Sequence, residues 1–185
     1  LGNPIILVLM SGRPNSIEWA DANVDAILHA WYPGTMGGHA IADVLFGDYN
    51  PSGKLPITFP RTVGQVPIHY DMKNTGRPIE LGAKDAKYVS RYLNTPNTPL
   101  YPFGYGLSYT NFAYSPVTLS KEKIGSDETL VASVTVTNVG QRDGEEVVQL
   151  YIRDMVGSVT RPDKELKGFQ KITLNKGQTR EENFA

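Results

Sequence analysis

Two carboxylates five positions apart, Asp43 and Asp48, are the first candidates for chemistry in this 185-residue chain. A carboxylate pair can serve as general acid and base, or as acid and nucleophile. Their local sequence argues for a structural role instead. Asp43 falls inside a helical pattern, and Asp48 lies in the turn-rich string Asp48-Tyr49-Asn50-Pro51-Ser52-Gly53, where Asp and Asn bond their own backbone. A second group is aromatic and basic: Tyr88, Arg91 and Tyr92. A third is Trp31-Tyr32, which follows a strand pattern, the place where α/β folds put ligands. Core or interdomain packing is the competing reading for Trp31 and Tyr32, and interdomain contact for Arg91 and Tyr92. His29, His39 and His69 lack metal-ligand spacing. Gly34-Thr35-Met36-Gly37-Gly38 precedes a helix but lacks the Lys-Ser/Thr of a phosphate loop.

Composition narrows the classes. With no Cys, a disulfide framework, a thiolate metal site and a Cys nucleophile are excluded. A net charge of -1 supplies no basic field for nucleic acid or an anionic membrane. The apolar run Ile5 to Met10 is too short to span a bilayer.

The elements that must position these residues change character along the chain. Ile5 to Met10 is continuously apolar, as in a parallel strand covered on both faces. Ile17 to Asn23 reads as a short helix and Val24 to Trp31 as a second strand. His39 to Phe46 carries Ile41, Val44 and Leu45 at helical spacing, with Gly47 as its C-cap. Lys54 to Phe59 is a third strand candidate, stopped by Pro60. This alternation is an α/β layer unit, short of strands for an open sheet and so the end of a larger domain. The polar stretch 61–98 shows little periodicity, which marks a functional segment or a linker.

From Leu100 onward the pattern is β. Phe112 to Leu119 is a strand candidate. Leu130 to Asn138 alternates, with Leu130, Ala132, Val134 and Val136 on one face. Glu146 to Ile152 places Val148, Leu150 and Ile152 together, Leu166 to Leu174 follows, and Thr179 begins another strand. Five short strands between turns predict a β-sandwich of immunoglobulin or fibronectin type III kind, which needs about seven. The expected fold class is therefore α/β followed by all-β: the end of an α/β sandwich domain joined to an incomplete fibronectin type III-like β-sandwich. The expected division is 1–70, an irregular interdomain segment 71–110, and 111–185.

Several strings resemble glycoside hydrolase family 3. They are Leu7-Val8-Leu9-Met10-Ser11-Gly12-Arg13-Pro14, Trp31-Tyr32-Pro33-Gly34, Ala42-Asp43-Val44-Leu45-Phe46-Gly47, Asn50-Pro51-Ser52-Gly53-Lys54-Leu55-Pro56, and Tyr101-Pro102-Phe103-Gly104-Tyr105-Gly106-Leu107-Ser108-Tyr109-Thr110. Thr137-Asn138-Val139-Gly140 and Lys164-Glu165-Leu166-Lys167-Gly168-Phe169 resemble its fibronectin type III-like domain. The resemblance covers the chain in order and is nearest to bacterial periplasmic β-glucosidases.

It implies a retaining glycosidase acting on terminal β-linked glucose, without metal or organic cofactor, in a periplasmic or secreted setting. It also implies that the nucleophile Asp and the acid/base Glu lie upstream of Ile5, so no residue here takes a catalytic role. Arg91, Tyr92, Trp31 and Tyr32 remain as substrate-contact candidates. The implied partners are a β-glucoside or oligosaccharide and the remainder of the parent enzyme, with self-association expected of exposed apolar surface, and no nucleic acid or membrane. A β-xyloside or N-acetylglucosaminide substrate is compatible with the same motifs. The alternative of another class is a non-catalytic structural or carbohydrate-binding module.

Overall fold

The computed structural model describes residues 2–79 and 87–185. Its contacts divide the chain into two units, each built from three stretches. One comprises Leu1–Asp43, Leu55–Tyr105 and Arg153–Glu165; the other comprises Val44–Lys54, Gly106–Ile152 and Leu166–Ala185.

In the first unit, β1 (Ile6–Leu9) and β2 (Ala26–His29) pair in parallel, with Ile6 opposite Ala26 and Leu9 opposite His29. Helix α1 (Glu18–Asn23) connects them on the pattern of a βαβ crossover. Ile6 is half exposed, while Leu7, Val8 and Leu9 are intermediate. The full burial expected of β1 is therefore not reached. Helix α2 (Gly37–Phe46) starts two residues earlier than its apolar spacing indicated. Ile41, Val44 and Leu45 are its half-buried side and Asp43 is exposed. Gly47 ends it at φ +84, and its N–H donates to the Val44 carbonyl at 3.1 Å. A side chain resists that backbone, so glycine is the fitting C-cap.

The third strand expected at Lys54 to Phe59 does not form. The segment is extended and has a partner, but the partner is 100–105 and not β1 or β2. Phe59 bridges Tyr101, the Leu55 N–H donates to the Tyr105 carbonyl at 2.7 Å, and the Gly104 N–H donates to Leu55 at 2.8 Å. Pro56, Pro60 and Pro102 have no N–H, so a continuous ladder cannot be completed.

The second unit holds six strands, one more than expected, because a single predicted strand is two. β3 (Phe112–Tyr114) and β4 (Thr118–Leu119) both pair antiparallel with β5 (Ala132–Asn138). Ser115-Pro116 separates them. There the Ser115 hydroxyl accepts the Thr135 N–H at 3.0 Å, replacing a ladder bond. The other edge of β5 pairs with β8 (Thr179–Phe184) over six residues, Ala132 opposite Phe184 through Thr137 opposite Thr179. β6 (Gly144–Ile152) and β7 (Glu165–Leu174) form the second sheet.

The core is Val134, Val136, Val148, Ile172 and Leu174, with Phe112 and Phe184 against it. The alternation read for β5 gives the buried face correctly at Ala132, Val134 and Val136. In β6 the inward set is Gly144, Glu146 and Val148, whereas Ile152 is half exposed. A carboxylate thus stands on the core-facing parity, and it is paired. Lys54 Nζ approaches Glu146 at 3.1 Å, and the Tyr114 hydroxyl donates to it at 3.0 Å. Burial, and then the adjacent Glu146 charge, push the Tyr114 hydroxyl pKa well above its ordinary value.

The loop 48–53 and the strip 106–110 are tied into the same unit. Asn50 Oδ1 accepts from Ser108 Oγ at 2.9 Å and from the Tyr109 N–H at 2.7 Å, and its amide donates to the Asp143 carbonyl at 3.0 Å. Tyr49 and Ser52 hydroxyls donate to Glu145, which also holds Lys171 at 2.7 Å. At Gly106 the backbones approach so closely that a Cβ would lie 2.2 Å from the Gly53 carbonyl oxygen. The Asn50-Pro51-Ser52-Gly53-Lys54 string is accounted for by these bonds.

Candidate functional site

The four substrate-contact candidates are placed by two different devices. Trp31 follows the end of β2 with φ +52, a left-handed conformation rare for a bulky residue. Such outliers persist only where the surroundings hold them. Here the indole lies 4.0 Å from the His29 ring and 6.2 Å from that of Phe59. His29 Nδ1 sits 3.0 Å from the Leu9 carbonyl, which makes it the donor, and Nε2 is buried with no hydrogen-bond partner among the described residues. Tyr32 is 83 % exposed, its ring lying over Gly12, where a Cβ would meet it at 2.4 Å. Leu9, Gly12, His29, Trp31 and Tyr32 therefore gather at the carboxyl ends of two parallel strands.

Arg91 and Tyr92 belong to the long segment read as irregular, and the structure shows what shapes it. Its two roots are held by hydrogen bonds that carry no sequence periodicity. At one root, Gln65 is 1 % exposed. Its Oε1 accepts the Arg61 N–H at 2.6 Å, and its amide donates to the Pro96 carbonyl at 2.9 Å and the Thr98 carbonyl at 3.3 Å. Arg61 Nε adds a bond to Thr98 at 3.1 Å, and its guanidinium pairs with Glu18 at 3.3 Å. At the other root, Lys73 bridges Pro162, and the Asp163 N–H donates to the Met72 carbonyl at 2.9 Å.

Between the roots, residues 77–78 are held against Ser90. Pro78 bridges Ser90, and the Ser90 N–H donates to the Arg77 carbonyl at 2.8 Å. Asn97 then clamps the turn, donating to the Ser90 carbonyl at 2.8 Å and accepting the Tyr92 N–H at 3.0 Å. Arg91 and Tyr92 are exposed beside this clamp, and Tyr88 is exposed at φ +62. The bridge brings Arg77, which the sequence reading passed over, next to Ser90-Arg91 along the backbone. Its only signal in the sequence is its being one of three arginines, with Arg61 and Arg91, in the same polar stretch.

The tethers of Trp31, Tyr32 and Tyr92 share no residue. Asp43 and Asp48 are exposed, on α2 and in the following turn, and His39 and His69 are exposed as well. A cavity of about 570 Å³ opens beside the second root, at Lys73 and Pro162, lined by Asn74 and the residues from Arg153 to Asp163. Two ion pairs cross it, Arg153 with Asp163 at 3.5 Å and Arg161 with Asp154 at 3.7 Å. Exposed arginine, tyrosine and amide groups on a tethered loop can hold the hydroxyls and ring faces of a polar ligand.

The family model for the glycosyl hydrolase family 3 C-terminal domain matches residues 1–109, and that for a fibronectin type III-like domain matches 146–185. This chain belongs to glycosyl hydrolase family 3. Among its family 3 relatives, a periplasmic beta-glucosidase of Salmonella typhimurium is 56% identical over 99% of this chain and 24% of its own length. A beta-xylosidase of Formosa agariphila is 47% identical over 99% of this chain and 24% of its own length. A mutant beta-glucosidase from Listeria innocua, solved in complex with laminaribiose, superimposes with a TM-score of 0.95 at 42% identity, over 99% of this chain and 25% of that one. The family 3 chain described here thus spans about a quarter of the length of the relatives it matches.

Proposed function

We propose that this chain is the C-terminal portion of a retaining β-glucosidase that releases terminal β-linked glucosyl residues, exported to the periplasm or secreted. The supporting observation is the match across 99% of the chain to a periplasmic beta-glucosidase four times as long. Retention needs two carboxylates about 5–5.5 Å apart, one a nucleophile and one an acid/base. In this reading both come from the rest of the parent enzyme, and this chain contributes rim contacts. Arg91 and Tyr92 on the tethered segment, with Trp31 and Tyr32 at the strand ends, bind and orient the sugar.

The test is hydrolysis of p-nitrophenyl β-glucoside by this chain alone and by the longer enzyme containing it. Activity only in the longer enzyme is expected. Turnover by the short chain would place the catalytic carboxylates within it and overturn the assignment. Running the β-xyloside in parallel decides the sugar, which the beta-xylosidase relative makes a fair competitor.

A second reading, a non-catalytic saccharide-binding module, draws on the polar cavity beside Asn74. Titration of the isolated chain with cello-oligosaccharides separates the two readings: binding supports the module, and silence at millimolar sugar removes it.

A further inference from the structure

Residues 153–163 connect β6 to β7, yet by contact they belong to the first unit, with the segment that bears Arg77, Arg91 and Tyr92. That placement has a clear physical basis. Lys73 and Pro162 are bridge partners, and the Asp163 amide donates to the Met72 carbonyl at 2.9 Å. The connection is also closed on itself. Arg153 pairs with Asp163 across its neck, Arg161 with Asp154 one step further in, and the Val156 N–H donates to Asp154 Oδ1 at 3.2 Å. Gly157 leaves little room within it: a Cβ would stand 3.1 Å from Arg161 Cγ and from the Val159 carbonyl oxygen. A closed loop of this kind presents the 162–163 backbone at a set position.

We propose that this connection is a positioning element for the substrate rim, acting through the backbone of Met72 and Lys73. The path is short and continuous. Residues 72–73 are held by 162–163, Arg77 takes the Ser90 N–H, and Ser90 precedes Arg91 and is clamped by Asn97. Gln65 holds the far root, so the loop has two anchors, and the 162–163 contact is one of them. Releasing either root lets Arg91 and Tyr92 sample more positions, which weakens substrate binding without touching the bond-breaking groups. The inference rests on the rim reading given above.

The experiment uses the longer enzyme and separates the amide of Asp163 from its side chain. Asp163→Pro removes the N–H that Met72 accepts; Asp163→Ala keeps it and deletes only the ion pair with Arg153. Asp163→Pro is expected to raise KM for the aryl β-glucoside about tenfold with kcat little changed, the size of one lost rim hydrogen bond. Asp163→Ala should stay within about twofold, the ion pair being half exposed. Added to the double variant Arg91→Ala, Tyr92→Ala, Asp163→Pro should raise KM no further, because it acts through those two side chains.

Gly157→Val crowds the loop from within and should raise KM in the same direction; it decides the matter where Asp163→Pro does not fold. An unchanged KM in Gly157→Val, an equal KM in the Pro and Ala variants, or a further rise in KM on top of the Arg91→Ala, Tyr92→Ala pair would each overturn the positioning role. An unchanged KM in Arg91→Ala alone would instead sink the rim reading.

Discussion

Lys54 Nζ and the Glu146 carboxylate lie 3.1 Å apart, with side chains 16% and 11% exposed. Two charges so far from water depend on each other, because removing one leaves the other desolvated and uncompensated. Lys54→Met should therefore cost about 3–5 kcal/mol, and replacing both by apolar residues should cost much less. Chemical denaturation of the two single variants and the double variant gives the coupling directly.

Asn138 is fully buried at the end of β5 and uses both ends of its amide. It donates to the Arg142 and Leu174 carbonyls at 2.8 and 3.0 Å and accepts from Thr110 Oγ1 at 2.7 Å. Asn138→Ala strands these buried groups, at about 1–3 kcal/mol for each left unpaired. Asn138→Asp should be no better, since it cannot donate to the two carbonyls. Urea midpoints of both variants check this.

Ile172 is at the centre of the sandwich core. Ile172→Ala should lower stability by about 2–5 kcal/mol, through lost burial and the cavity left behind. Ile172→Val should cost only about 0.5–1.5 kcal/mol. Equal losses in the two variants would mean that this position is not close-packed.

Gln65 predicts a local effect. Gln65→Ala should leave the β-sandwich melt unchanged and speed proteolytic cleavage within 87–98, where the Pro96 carbonyl loses the Gln65 amide and the Thr98 carbonyl keeps only Arg61 Nε. Mapping the first cut by mass spectrometry checks it. A first cut elsewhere would mean that Gln65 is not an anchor of the segment.

Glu145 gives a pH prediction. Lys171, and then the Tyr49 hydroxyl, hold its carboxyl below the ordinary 4.5. A folded pKa below the unfolded one means that the contribution is present above about 4.5 and is lost as pH falls through the lowered value. The melting-temperature advantage of the wild type over Glu145→Gln should be steady near neutrality and shrink in acid. A gap that widens in acid would contradict the assigned direction.

Much of the β-sandwich was legible because alternation is a local signal. Ala132, Val134 and Val136 show their buried face within seven residues, and Gly47 marks its helix end by type alone. Glu146 was not legible: a carboxylate reads as solvent-facing until Lys54 and Tyr114, far off in sequence, are seen against it. Lys54 to Phe59 misled because its apolar residues fit a strand while its prolines deny one a ladder. The candidate segment was visible as polar and irregular, with Arg91 and Tyr92 in it. Its anchors Gln65, Asn97 and Asp163, and the pairing of Arg77 with Ser90, were not, because single side-chain-to-backbone bonds leave no repeating pattern.

The interleaving of the two units bears on how such a chain can be rebuilt. Each unit draws on three stretches, and a single junction placed anywhere between 44 and 165 divides both of them. Chimaeras between family members made with one crossover in that range would inherit mismatched halves of each unit. Gene shuffling should therefore recover folded hybrids mainly when residues 1–185 are exchanged together as one block.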